Sequence, residues 1–543
     1  MNKTVMKLAL KLGMLGAICG ASGLALAAGD WKSAGHDLTN SRSQPDETKL
    51  DKVTVAGLIT KWRLVVDGDV TANPAVEGDF IYFPDAVGSL YKVHRFTGAL
   101  IWQKSVSALT GAAGDSVRAT PAISGNLLIM GNQAGKNVTF FGQPAPTGAK
   151  VFAVNKNTGD LVWKTQIDDT IYSMATHSPI VVKGKVIVGT ASNEELMAGL
   201  IPKGGIPAYG VPPWQWQFRG SVSALDVNTG AVLWKTYTVP EGYYGASVWG
   251  STGAGDLKRN QVYMASGDNF WAPQSVFDCM NAGGSPAKCM SPDNHFDSII
   301  AFDIDTGKIN WAQKGLPYDV WNVGCGLNVG GFVIPPNDNC PNPKGPDYDF
   351  AQGPILMGDS NGAGDDQIVG AGQKSGMFWA FKAKSGKLAW NTQVAPGGLT
   401  GGLQWGSAYD GQRIYVAVAN AGPNGTDPQP WTLKDGSTTT AGGWAALDPK
   451  NGKILWTTKD PMGSRSEAAV SVANGVVYGC NLDYNPGNPS FYAMDAATGA
   501  VKWSFASGGP CNAGPSIVDG MVYWGTGTGR GTGPKWVYGL GLN

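Results

Sequence analysis

The side chains best able to do chemistry are few. Beyond residue 27 there are six cysteines (Cys279, Cys289, Cys325, Cys340, Cys480 and Cys511), and the whole chain holds four histidines. No two of these cysteines have the close spacing of a structural zinc site, so a zinc reading fails. No Cys-x-x-Cys-His occurs, which excludes covalent haem; if the protein moves electrons, it must pass them to another molecule. An even number of cysteines in an exported chain reads as disulfides, and proximity pairs 279 with 289, 325 with 340 and 480 with 511. Acids able to hold a hard cation or accept a proton stand at Glu194 and Glu195 in 190-TASNEEL-196, at Asp319 in 317-PYDVWNVGCG-326 and at Asp297 in 293-DNHFD-297. Solvated turn acids are the alternative reading of the first pair.

The elements that must position such groups repeat along the chain. The segment 301-AFDIDTGKINW-311 returns as 92-KVHRFTGALIW-102, 153-AVNKNTGDLVW-163, 224-ALDVNTGAVLW-234, 380-AFKAKSGKLAW-390, 446-ALDPKNGKILW-456 and 493-AMDAATGAVKW-503. A degenerate copy, 55-VAGLITKWRLV-65, keeps Trp62 and loses the turn. A second unit alternates with it: small residues or proline, an apolar run, then glycine, as in 120-TPAISGNLLIM-130 and 514-GPSIVDGMVYWG-525. Short alternating apolar strands joined by glycine turns, repeated eight times, predict an all-β fold, an eight-bladed β-propeller. One tryptophan per blade, packed between neighbours with its indole N–H on a backbone acceptor, would staple the ring.

Composition agrees with one large β domain over residues 28–543. Charged residues make up 15% of the chain, glycines number 78, and 41 basic residues balance 41 acidic ones. That balance offers no support for nucleic-acid binding, and no apolar run after the N-terminus reaches membrane length, so no transmembrane segment is expected. Residues 1–27, with Lys3, Lys7 and Lys11, an apolar stretch and 25-ALA-27, read as a secretory signal, which implies a periplasmic or secreted protein.

The tryptophan repeat resembles the docking motif of the pyrroloquinoline quinone (PQQ) dehydrogenases, propellers that oxidise alcohols in the periplasm; 31-WKSAGHDLTNSR-42 is similar to their N-terminal segment. A non-catalytic scaffold of the outer-membrane assembly machinery uses similar blades, so function rests on the site. PQQ is a flat quinone with three carboxylates, and the resemblance implies an aromatic floor, cationic partners and a calcium ion. Within 190-TASNEEL-196, Ser192 would contact the cofactor and Glu195 bind the metal, with Glu194 as the near alternative. In the segment 249–273, Trp249 would be the floor and Asn269 an amide ligand of the metal. Arg118 and Thr176 match cofactor-contacting positions, and Lys374 matches the basic residue beside the quinone oxygens, with a catalytic role.

The catalytic base departs from the family pattern. Where relatives carry a Trp-Asp pair, this chain has Trp321-Asn322, and an amide cannot accept the alcohol proton, which leaves Asp319 or Asp297. The Trp-Asn-Val-x-Cys sequence, the cysteine-bounded segment 279–289, the run 291-SPDNHFDSIIAFD-303 and 192-SNEE-195 together resemble polyvinyl alcohol dehydrogenases. This implies secondary or polymeric alcohols as substrates and a soluble cytochrome c or cupredoxin as electron acceptor. The insertion 196–218, rich in aromatic residues and proline, would line a groove for a polymer or merely cover the propeller face.

Overall fold

The computed structural model describes residues 29–133, 148–209, 211–329, 332–358, 367–422, 425–529 and 533–543; the expected signal at 1–27 lies outside them. Eight sheets follow one another as blades, seven of them four-stranded and antiparallel; the seventh blade carries a fifth strand, Ser43–Gln44, paired in parallel with Ser471–Ala473. From innermost strand outwards, blade one is Ala75–Glu77, Phe80–Pro84, Ser89–His94 and Leu100–Ser105. Blades two to seven begin at Ala122, Ile180, Ala254, Ile355, Ala408 and Ser471. Blade eight is composite: Ser516–Val518, Met521–Gly525 and Trp536–Gly541 are completed by Ile59–Val65, whose Trp62 pairs with Gly539. This N-terminal strand closes the ring.

In outermost strands such as Leu100–Ser105 it is the exposure that alternates, half-buried Trp102 and Lys104 standing between exposed neighbours. Middle strands such as Ile414–Val418 and Val476–Cys480 are buried at every position, because neighbouring blades cover both of their faces.

The eight tryptophans of the repeat dock in the same way. Each indole N–H donates to a carbonyl in the turn of the next blade: Trp62 to Arg95, Trp102 to Lys156, Trp163 to Val227, Trp234 to Ile304, Trp311 to Ala383, Trp390 to Pro449, Trp456 to Ala496 and Trp503 to Leu58. The degenerate repeat therefore still supplies its acceptor, Leu58. The repeat glycine has a reason beyond its turn. Gly307 has φ +72°, and a Cβ there would lie 2.5 Å from the Trp234 ring. Gly78 has φ +56° with nothing near its missing Cβ. Gly307→Ala is thus expected to cost about 1–3 kcal/mol through overpacking in addition to the backbone penalty that Gly78→Ala alone carries. Chemical denaturation of the two variants separates the two contributions.

Three disulfides join Cys279–Cys289, Cys325–Cys340 and Cys480–Cys511, the pairs expected from the sequence. Among the described residues no helix is long and apolar enough to cross a membrane.

Candidate functional site

The chain positions its site with the short segments that enter each blade. Four residues before the innermost strands stand Thr71, Arg118, Thr176, Gln404, Glu467 and Asn512, in blades one, two, three, six, seven and eight. All six line one cavity of about 410 Å³. Because each blade presents the same entry position to the axis, residues far apart in sequence converge there. Ser192, Glu195, Trp249, Asp347, Lys374 and Trp405 complete the working part of the wall.

One side of the cavity is aromatic and cationic. Trp249 and Trp405 meet edge to face with centroids 5.4 Å apart. The Arg118 guanidinium lies 4.1 Å from the Trp405 ring centre, and Lys374 Nζ lies 5.5 Å from that of Trp249. Burial lowers the pKa of Arg118 to about 10, with the charge of Glu467 opposing that shift. Arg118 has no ion-pair partner among the described residues, and Thr176 Oγ1 is buried without a hydrogen bond. Such groups suit an anionic, flat ligand.

The other side is acidic. Glu195, Asp268 and Asp347 bring carboxylate oxygens within 4.8 Å of one another. Lys374 Nζ donates to Asp347 Oδ1 at 2.6 Å and pairs with Asp349 Oδ2 at 2.8 Å, and it is buried with both acids. Asp349 also accepts from the Trp249 indole at 3.2 Å and from the Asp268 N–H at 2.6 Å. Burial pushes the Glu195 pKa up to about 8; Lys374 opposes the shift, and Asp349 and Asp319 add to it. Asp268 and Asp347 are raised well above the carboxylate range, first by burial. The Asp268 Oδ2 atom is buried and unpartnered. One lysine among so many carboxylates leaves charge that a hard cation would neutralise. Asp347 is also held at φ +60°, an uncommon conformation outside glycine.

The structure assembles most of the expected site residues and redirects the rest. Arg118, Thr176, Ser192, Glu195, Trp249 and Lys374 line the cavity together. Glu194 is turned away, its carboxylate accepting the Gln217 and Phe218 N–H groups. Asn269 exchanges amide hydrogen bonds with Asn294, at 2.8 and 3.2 Å, and it is its neighbour Asp268 that joins Glu195. Asn322 spends its amide on Phe270 O, Asn339 O and the Gly324 N–H, a loop-holding role away from the cavity. Asp319 accepts the backbone N–H groups of Asp347 and Tyr348, at 3.1 and 2.7 Å, and so props the loop that carries Asp347. Burial raises Asp319 to about 7. Asp297 lies fully buried beside Asp319.

Sequence reasoning missed Asp268, Asp347, Asp349 and Trp405. The signal was the alternating acids of 346-PDYDF-350, which sit in the entry segment of blade five.

Comparison with known proteins gives the chain's relatives. A profile described as "Glucose/ethanol/alcohol dehydrogenase, beta-propeller domain" matches residues 167–326, and one described as "Outer membrane protein assembly factor BamB" matches 59–205 and 440–533. Polyvinylalcohol dehydrogenases from a Sphingopyxis and a Pseudomonas species are 28% and 29% identical, over 92% and 91% of this chain and 72% of each relative. The chain is a homologue of the quinoprotein alcohol dehydrogenases. That makes it an oxidoreductase homologue of a PQQ-dependent family. The fold agrees: quinohemoprotein alcohol dehydrogenase of Comamonas testosteroni superposes with a TM-score of 0.65 at 19% identity, over 94% of this chain and 80% of that one. A europium-containing methanol dehydrogenase gives 0.67 at 16% identity, over 95% and 98%.

Proposed function

We propose that the chain is a PQQ- and calcium-dependent dehydrogenase of secondary alcohols, acting in the periplasm after removal of residues 1–27 and handing electrons to a soluble cytochrome c or cupredoxin. The observation that carries the reading is the convergence on one cavity of an aromatic wall, the cations Arg118 and Lys374 and the acids Glu195 and Asp347, with the Asp268 carboxylate close to both acids. A scaffold propeller has no need to bury such charges together.

The residues fit the absent groups. Trp249 offers a stacking face, Arg118, Thr176 and Ser192 take the cofactor carboxylates, and Glu195 with Asp268 hold the cation. When bound, PQQ supplies the hydride acceptor and calcium the Lewis acid. The protein's own contribution is to orient the alcohol against that wall and to take its hydroxyl proton. Asp347 Oδ faces the cavity and is the base, with Lys374 stabilising its charged form and Asp319 fixing its loop.

The test is calorimetric titration of the cofactor-free protein with PQQ, with and without calcium, followed by dye reduction on secondary alcohols. Calcium-dependent binding and dye reduction are expected; absence of binding would leave a scaffold. Stability carries a second readout. Glu195 and Asp319 have folded-state pKa values of about 8 and 7, above their ordinary values of 4.5 and 3.8. Between those limits the folded chain binds protons that the unfolded chain releases, so stability falls as pH rises from about 5 to 8. Calcium replaces those protons and should remove the decline, stabilising by about 2.7 kcal/mol at a hundredfold excess over its Kd. Melting curves at pH 5.5 and 8.5, with calcium or a chelator, check this.

A further inference from the structure

Before its first blade the chain makes a belt. Residues 31–42 run round the inner wall of the ring, bonding in turn to the innermost strands of blades one, two, four, five, six and seven. At the end of this belt stands Arg42. Its N–H donates to Gly35 O and its carbonyl accepts the Val472 N–H, both at 2.9 Å, and its φ is +49°. A residue with a side chain keeps that conformation only where the surroundings fix it. So held, Arg42 lines the cavity together with Asn73 and Gly514.

Arg42 is 1% exposed. Among the described residues its guanidinium makes one hydrogen bond, from Nη1 to Asn73 Oδ1 at 3.4 Å; Nε makes none, and no carboxylate pairs with the group. Arg259 and Arg465, by contrast, reach carboxylates at 2.7 and 2.6 Å. Burial lowers the Arg42 pKa only to about 10, so the charge persists at neutral pH. Glu467 acts on the cavity's other arginine, Arg118, whereas burial alone moves Arg42. A buried charge left unpaired is costly, and a guanidinium does not escape the cost by losing its proton. The space beside it is also kept clear. A Cβ at Gly406 would lie 2.7 Å from Arg42 Nε, and one at Gly514 2.7 Å from Asn73 Nδ2, so glycine leaves both donors open to approach.

We propose that Arg42, with Asn73, holds a small monovalent anion of the halide class, such as chloride, at this end of the cavity. One guanidinium charge calls for one negative charge. The residues packed round it, Asn73, Gly406, Ala469 and Gly514, bring no second cation, so a divalent oxyanion would leave an excess. The inference does not rest on the dehydrogenase reading, because a scaffold would need the same counter-charge.

The test follows the melting temperature of the cofactor-free chain as sodium bromide replaces sodium gluconate at constant ionic strength. The wild type is expected to gain about 2–3 °C, saturably, at a hundredfold excess of bromide over its Kd. Asn73→Asp puts a carboxylate beside Nη1 in the anion's stead. It should melt in gluconate about where the wild type melts in bromide, with the bromide response lost. Arg42→Met should lose the response as well. Bromide-soaked crystals of the wild type, which need no variant, should show an anomalous peak within hydrogen-bond distance of the guanidinium, and the peak should persist after loading with PQQ. A salt effect shared equally by all three proteins, the absence of that peak, or its displacement by PQQ overturns the proposal, the last by giving Arg42 to a cofactor carboxylate.

Discussion

Asp347→Asn is expected to lower kcat by about 10²–10⁴-fold, the range for losing a positioned general base, with PQQ binding retained. The substitution removes the carboxylate that faces the cavity while keeping its size, and Lys374 keeps its partner Asp349. Two further variants make the result specific. Asp319→Asn should cost less, because Asp319 faces the backbone N–H groups of Asp347 and Tyr348 rather than the cavity. Asn322→Asp should give no gain, because Asn322 is engaged with Phe270, Asn339 and Gly324. A kcat fall in Asp319→Asn alone would transfer the role of base to Asp319. Single-turnover dye reduction separates this chemistry from cofactor loading.

Lys374→Met is expected to be the most damaging change for stability. It strips the one described lysine from a buried cluster in which Asp347 and Asp349 both lean on it, at 2.6 and 2.8 Å. Breaking a buried pair by removing one partner costs about 3–5 kcal/mol. Here two acids lose their partner at once, and their protonation offsets only part of the cost. The variant should unfold at lower denaturant with an unchanged slope, and calcium should recover part of the loss by supplying the missing positive charge. Activity should fall with it. A Lys374→Met protein as stable as wild type without calcium would show that the cluster is already neutral by protonation.

The fold was legible because its signal is periodic. Tryptophan, turn and glycine recur together, and the structure shows why: the indole reaches the next turn's carbonyl and lies over its glycine, so the three residues are one contact. The cavity was legible wherever a site residue occupies an entry segment with an obvious chemical type, as with Arg118, Thr176 and Trp249. It was illegible in the loop between blades four and five. There the pairing of Trp321 with Asn322 drew attention to a residue that holds the loop, while the acid that faces the cavity, Asp347, arrives from the loop's far end. Asp319 and Asp347 touch through a hydrogen bond that no spacing rule reports. Beside the expected Asn269, whose amide is paired with Asn294, stands Asp268, whose carboxylate comes close to those of Glu195 and Asp347; the spacing of the motif reached the right segment without singling out this acid.

The composite eighth blade also sets an order of events during biogenesis. Its outer strand, Ile59–Val65, precedes the other seven blades in the chain, and its partner, Trp536–Gly541, follows them. A chain crossing a membrane from its N-terminus delivers Ile59–Val65 early and must keep this strand unpaired until almost everything else has been delivered. Through that interval an unsatisfied edge is available to wrong partners. The seal is made of contacts of very high sequence separation, which form slowly. Under the export proposed above, the chain would have a vulnerable waiting period, and chaperoning of the early strand is where yield would be won or lost.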